Sequence, residues 1–184
     1  LTYSNSFNNE KELNATTTSI QYFINTVVGD NYVLATAGMK ADEVLNARQL
    51  REWNPRTVIS SEYSWKNLYN IIFEGNLLLD NIDRPKDLTP DRRNFHMGQA
   101  EFALGLSYFL LAQRYGEAII TENSSEIKPY ALSSKTEVLN AAIDHARKAF
   151  ALLPTWDKLT DLNGAAITDR QTASKGTAAA LLAQ

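Results

Sequence analysis

A chain of 184 residues, 44% hydrophobic and 21% charged, has room for one ordinary core and is not charged enough to stay disordered. A net charge of −3, with no basic run or stripe, removes the electrostatic footprint of a nucleic-acid binder. The absence of cysteine excludes disulfides, thiolate metal sites and a cysteine nucleophile, and the apolar runs are far shorter than the roughly 20 residues of a membrane-spanning helix.

Residues Leu1 to Asn8 have no periodicity and read as an extended arm. A helix follows from about Asn9 to Val27, with Glu10 and Glu12 near its positive end and Ile20, Phe23, Ile24 and Val27 on one side. Gly29-Asp30-Asn31 ends it. Tyr32 to Ala37 is a short β-prone piece, and Gly38 to Asn46 holds a helical turn around Ala41 to Leu45. Arg48 to Ser61 carries Trp53, Pro55, Arg51 and Arg56 without a clean period and reads as a loop, with a capping signal at Ser61. Loops on a rigid helical scaffold are where binding residues concentrate.

The centre of the chain is a helical pair, Trp65 to Ile82 and Gln99 to Gly116. In the first run Trp65, Tyr69, Ile72, Asn76 and Leu79 recur every three or four residues, which predicts one buried stripe with Trp65 in the core. In the second, Gly98, Ala100, Ala103, Gly105, Ser107 and Ala112 alternate with Phe102, Leu106, Tyr108, Phe109 and Leu111. Small residues there let a neighbouring backbone approach while large ones fill its grooves. The connector, Asp83 to Asp91, is short and holds Pro85 and Pro90, so the two helices should run antiparallel.

Glu117 to Tyr130 is a connector. Ser133 or Ser134 then caps a third helix, with Glu137 placed for a capping box, and Pro154 stops it after Leu153. Thr155 to Gln171 is a long loop holding Trp156, the turn signal Asn163-Gly164, and Arg170. A last helix starts near Thr172 or Ser174. No sustained β alternation occurs, so the class is all-α: tetratricopeptide-like helical pairs with long irregular loops, in a single domain over 1–184.

Catalytic signatures are missing: there is no His-Glu-x-x-His, nucleophile elbow, phosphate loop or dinucleotide fingerprint. No catalytic residue, metal site or cofactor is expected. His96 and His145 read as solvated or half-buried structural residues, and Asp144 beside His145 points to a different helix face. Trp53 has two readings. A flat indole among Arg51, Asn54 and Arg56 suits a sugar, whose ring stacks on the apolar face while its hydroxyls take hydrogen bonds; equally, Trp53 plugs the loop onto the helices. Trp156 reads as a lid on a helix end.

Trp65-x3-Tyr69-x2-Ile72-x3-Asn76 followed by Gln99-Ala100-x-Phe102-x6-Phe109-x5-Tyr115-Gly116 resembles the N-terminal part of the SusD-like family of Bacteroidetes. Leu152-Leu153-Pro154 and the alanine-rich run from Ala173 to Ala183 are similar to the family's next helix end and the helix after it. Three positions depart from the pattern: Leu104 in place of arginine, Ile119 in place of the proline that follows Tyr-Gly, and Gln184 in place of a basic residue. The resemblance implies a tetratricopeptide-like scaffold, one part of a longer lipoprotein facing outward from the outer membrane through a lipid anchor. It also implies capture of an oligosaccharide or polysaccharide without catalysis, for a SusC-like TonB-dependent transporter. The alternative is a scaffold domain that docks a partner protein and has no ligand site of its own.

Overall fold

The structure, a computed structural model, describes residues 6–28, 65–126, 128–168 and 171–184. The arm before Ser6, the pieces Tyr32 to Ala37 and Gly38 to Asn46, and the loop Arg48 to Ser61 with its capping serine lie outside the described residues, wholly or in their greater part. Five α-helices are present among the described residues: α1 (Glu10–Val28), α2 (Lys66–Asn81), α3 (Pro90–Arg114), α4 (Lys135–Leu152) and α5 (Lys175–Leu182). A single 3₁₀ turn, Trp156–Lys158, follows α4.

The caps explain most boundaries. Ser134 and Glu137 form the capping box that opens α4, and Ser174 with Thr177 does the same for α5. Helix α3 starts at Pro90, well before Gln99. Thr89 accepts the Arg92 amide at 3.3 Å, and Pro90 sits at the first helical position, where a missing N–H costs nothing. Pro90 therefore opens the helix instead of belonging to the connector.

Residue pairs between helices set the register. Thr17 and Glu10 of α1 meet His96 and Arg92 of α3, so these two helices run parallel. Gly75 of α2 faces Leu104 and Ala100 of α3, and Gly105 faces the backbone of Ala142 and Ala146 of α4, each an antiparallel crossing. A Cβ at Gly105 would lie 3.1 Å from the Ala142 oxygen and from the Ala146 nitrogen. The alternation of small and large residues on α3 thus does what the spacing predicts. Leu104, where the related motif has arginine, is fully buried against Gly75.

One core joins Leu13, Ile20 and Val27 of α1 to Leu68, Ile71 and Ile72 of α2, Leu104, Tyr108 and Leu111 of α3, and Val138 of α4. A smaller cluster of Ala149, Leu153, Ala173 and Ala178 holds α5, with Phe102 packed on it. The Gln99 amide fastens it by donating to the Ala173 carbonyl at 2.8 Å and accepting the Ala173 N–H at 3.2 Å.

His96 is fully buried, not solvated or half-buried as its sequence context suggests. Its Nε2 lies 3.3 Å from Glu10 and its Nδ1 2.8 Å from the Thr17 hydroxyl. A carboxylate only accepts, so the neutral ring donates from Nε2 and accepts from Thr17. Arg92 binds the same carboxylate and also donates to the Thr160 carbonyl at 2.7 Å, tying α1, α3 and the long loop together.

Candidate functional site

The helical register defines two ends of the bundle. At one end lie the start of α1, the 83–89 connector and the loop after α4, whose turn at Gly164 (φ +79°) closes a two-residue bridge between Thr160 and Ala166. Trp156, in the 3₁₀ turn that follows α4, is half-buried there. At the other end lie the start of α2, the end of α3 and the start of α4. Because α1 runs parallel to α3 and α2 runs antiparallel to it, the end of α1 at Val28 and Trp65 at the start of α2 also lie here. Both anchors of the segment 29–64 are therefore at this second end.

Large side chains are exposed here. Trp65, placed in the core by its spacing, is 56% exposed. It is the N-cap residue of α2, at the very end of the apolar stripe. Its ring stands edge-on to Tyr69, with centroids 6.1 Å apart and planes at 90°. Tyr115, at the end of α3, and Leu132, just before α4, are exposed at the same end.

Tyr69 is held by an extended segment that runs back over α2 and α3. Its hydroxyl accepts the Ile119 amide at 2.8 Å and donates to the Ile119 carbonyl at 3.1 Å. Two residues on, Tyr108 does the same to Thr121, at 3.0 Å and 3.1 Å. Asn76 donates to the Thr121 carbonyl at 3.2 Å, and Asp80 accepts both the amide and the hydroxyl of Ser124. Burial raises the pKa of both phenols, so they stay neutral and can donate and accept at once. The Tyr69 ring is thus fixed, and with it the surface on which Trp65 rests.

The arrangement offers an exposed indole on a rigid base, suited to stacking on an apolar ring face. It offers little acid–base chemistry. Among the described residues, no group of three or more His, Asp or Glu side chains could hold a metal ion. His145 pairs through Nδ1 with buried Glu101 at 2.6 Å and stacks on Tyr108 at 5.7 Å. This pair links α3 to α4, while Asp144 is exposed and near Arg147. Only the α3–α4 register brings Glu101 and His145 together, and no local motif announces it.

Arg51, Trp53, Asn54 and Arg56 lie outside the described residues. Trp65 itself is the residue the helical spacing misassigned. The available signal was its place immediately before the polar pair Lys66-Asn67 at a helix start.

No helix among the described residues is long and apolar enough to cross a membrane. No curated protein matches the chain. Its fold is similar to that of a SusD superfamily protein from Bacteroides thetaiotaomicron, with a TM-score of 0.73 at 12% identity over 97% of this chain and 43% of that one. A SusD superfamily protein from Bacteroides vulgatus gives 0.72 at 19% identity over 96% and 39%. A laminarin-binding SusD-like protein gives 0.71 at 16% identity over 95% and 39%. The chain thus spans about two fifths of these relatives, and at such identities the likeness is one of fold. The model of a SusD-like family described as starch-binding and associating with the outer membrane matches residues 5–182. With nearly the whole length matched, the chain belongs to the SusD-like family.

Proposed function

We propose that this chain is a helical domain of a larger outer-membrane lipoprotein that binds an oligosaccharide or polysaccharide without catalysis and hands it to a SusC-like TonB-dependent transporter. The family description supports glycan binding and outer-membrane association, and one fold relative binds laminarin. The relatives' greater length supports residues 1–184 being one domain of several hundred residues of protein. The observation that carries the reading is the exposed Trp65, seated on the immobilised Tyr69 at the end of the bundle where segment 29–64 is anchored. In this proposal Arg51, Trp53, Asn54 and Arg56 complete the site from that segment, with Trp53 as a second platform and the others as hydrogen-bond donors.

Calorimetric titration of the full-length protein with laminarin, starch and a panel of other plant and microbial glycans tests it. Binding that Trp53→Ala or Trp65→Ala removes supports the site. Binding that survives both substitutions moves the site elsewhere in the protein.

One observation favours the scaffold reading: an apolar groove between α3, α4 and α5, lined by Phe109, Leu139, Ile143, Leu181 and Leu182. A helical partner would fit such a groove. Failure to bind any glycan, together with co-purification of a protein partner, would favour that alternative.

A further inference from the structure

The segment held by Tyr69 and Tyr108 is gripped from one side only. Ile119 and Thr121 direct their N–H and C=O groups at the two phenols. In an extended chain, alternate residues direct these groups to opposite sides. Ala118 faces the other way and exchanges both backbone bonds with Ser133, at 3.2 Å and 2.8 Å. Continuing that antiparallel register would pair Ile120 with Ala131 and Glu122 with Pro129. Neither pairing forms. Among the described residues the backbone groups of Ile120 and Glu122 make no hydrogen bond. Pro129 has no N–H to give the Glu122 carbonyl, so the Glu122–Pro129 pair cannot exchange both bonds.

The charge along this edge is one-sided. Glu117 and Glu122 are exposed beside it. The nearby Lys128 is 2.9 Å from Glu126, lies over the Tyr130 ring and is also attracted by Glu122, one cation against Glu117, Glu122 and Glu126. The edge is therefore acidic as well as unpaired.

We propose that the open edge at Ile120 and Glu122 is a docking site for an extended, basic segment of a partner protein, which adds as a strand. Main-chain bonds to Ile120 and Glu122 hold it, and its Lys or Arg side chains meet Glu117 and Glu122. The rigid phenol grip on the opposite side means the edge is preorganised, so the incoming strand orders only itself. This surface is separate from the Trp65 face and does not depend on glycan binding there.

The test uses the full-length protein and a synthetic probe, an acetylated and amidated Lys-Thr-Val-Thr-Val-Lys peptide. Hydrogen exchange of the 118–124 region and fluorescence anisotropy of labelled peptide are read together. The expected result is slowed exchange at Ile120 and Glu122 and binding that falls about tenfold when the lysines are replaced by glutamate. Binding should be lost when alternate amides of the peptide are N-methylated, which leaves the protein untouched. Glu122→Lys, at an exposed position, should weaken the parent peptide and improve the glutamate version. Equal binding of parent and N-methylated peptides, or no protection at Ile120 and Glu122, overturns the proposal. So does protection of these amides by glycans instead of by the peptide.

Discussion

The hydroxyl of Tyr69 takes both backbone groups of Ile119, accepting its amide at 2.8 Å and donating to its carbonyl at 3.1 Å. A single phenol therefore stands in for a neighbouring strand. Removing it strands two half-buried backbone groups, and each buried polar group left unpaired costs about 1–3 kcal/mol. Tyr69→Phe should destabilise the protein by about that amount, measured by urea unfolding. Ile119→Pro removes only the donor and should cost less. If proline cost more than the tyrosine substitution, the bond to the carbonyl would not be the important one.

Trp65→Ala separates two expectations. Emptying an aromatic core position costs about 3–5 kcal/mol. At 56% exposure the loss should instead stay below about 1 kcal/mol, since exposed substitutions are usually within about 0.5 kcal/mol and only the edge contact to Tyr69 is lost. Thermal unfolding checks the stability, and glycan titration checks the proposed platform. A melting loss of core size would return Trp65 to the interior and weaken the site.

His96 gives the protein an acid-sensitive joint between α1 and α3. Burial is the largest influence and lowers its pKa; the Glu10 hydrogen bond pulls the other way and Arg92 adds to the lowering. The folded ring is then neutral at pH values where the unfolded one, with a pKa near 6.5, already takes a proton. Between the lowered folded value and about 6.5, the unfolded state binds more protons, so stability rises with pH and is lost as pH falls. Urea midpoints measured from pH 7.5 to pH 5 should fall for the native protein and fall less for His96→Gln. Parallel slopes for the two would show that His96 is not the titrating group.

Periodicity carried the helices and most of their partners into view because each helix has an apolar face and a cap. The capping box at Ser134 and the small residues of α3 were legible for that reason, whereas the box that Ser174 forms with Thr177 was not read. Pro90 was read as part of a connector, because a proline marks a helix start only when the residue before it can cap, as Thr89 does. Trp65 shows the limit of a helical stripe: spacing assigns a face, but at the capping residue of α2 the side chain is exposed all the same. Glu101 and His145 lie 44 positions apart, so their pairing follows from the α3–α4 register, which no local pattern encodes. For Arg51, Trp53, Asn54 and Arg56 the sequence remains the whole of the argument.

Three glycines sharpen the claim that close approach, not helix propensity, governs α3. Replacing a helical glycine with alanine normally gains about 1 kcal/mol. At Gly105 the added Cβ would press on the backbone of α4 at 3.1 Å, where no side chain can rotate away. At Gly98 it would lie 2.7 Å from the side chain of buried Leu153, which must shift within a packed cluster. At Gly176 the nearest atom is the Ser174 hydroxyl at 3.7 Å, an ordinary contact. Gly176→Ala should therefore stabilise by about 0.5–1 kcal/mol, while Gly105→Ala and Gly98→Ala should destabilise by about 1–3 kcal/mol, the usual cost of overpacking. Denaturant midpoints of the three variants decide it. A gain at Gly105 would mean that α4 can move outward freely, and the tight α3–α4 crossing would then contribute little to holding the bundle.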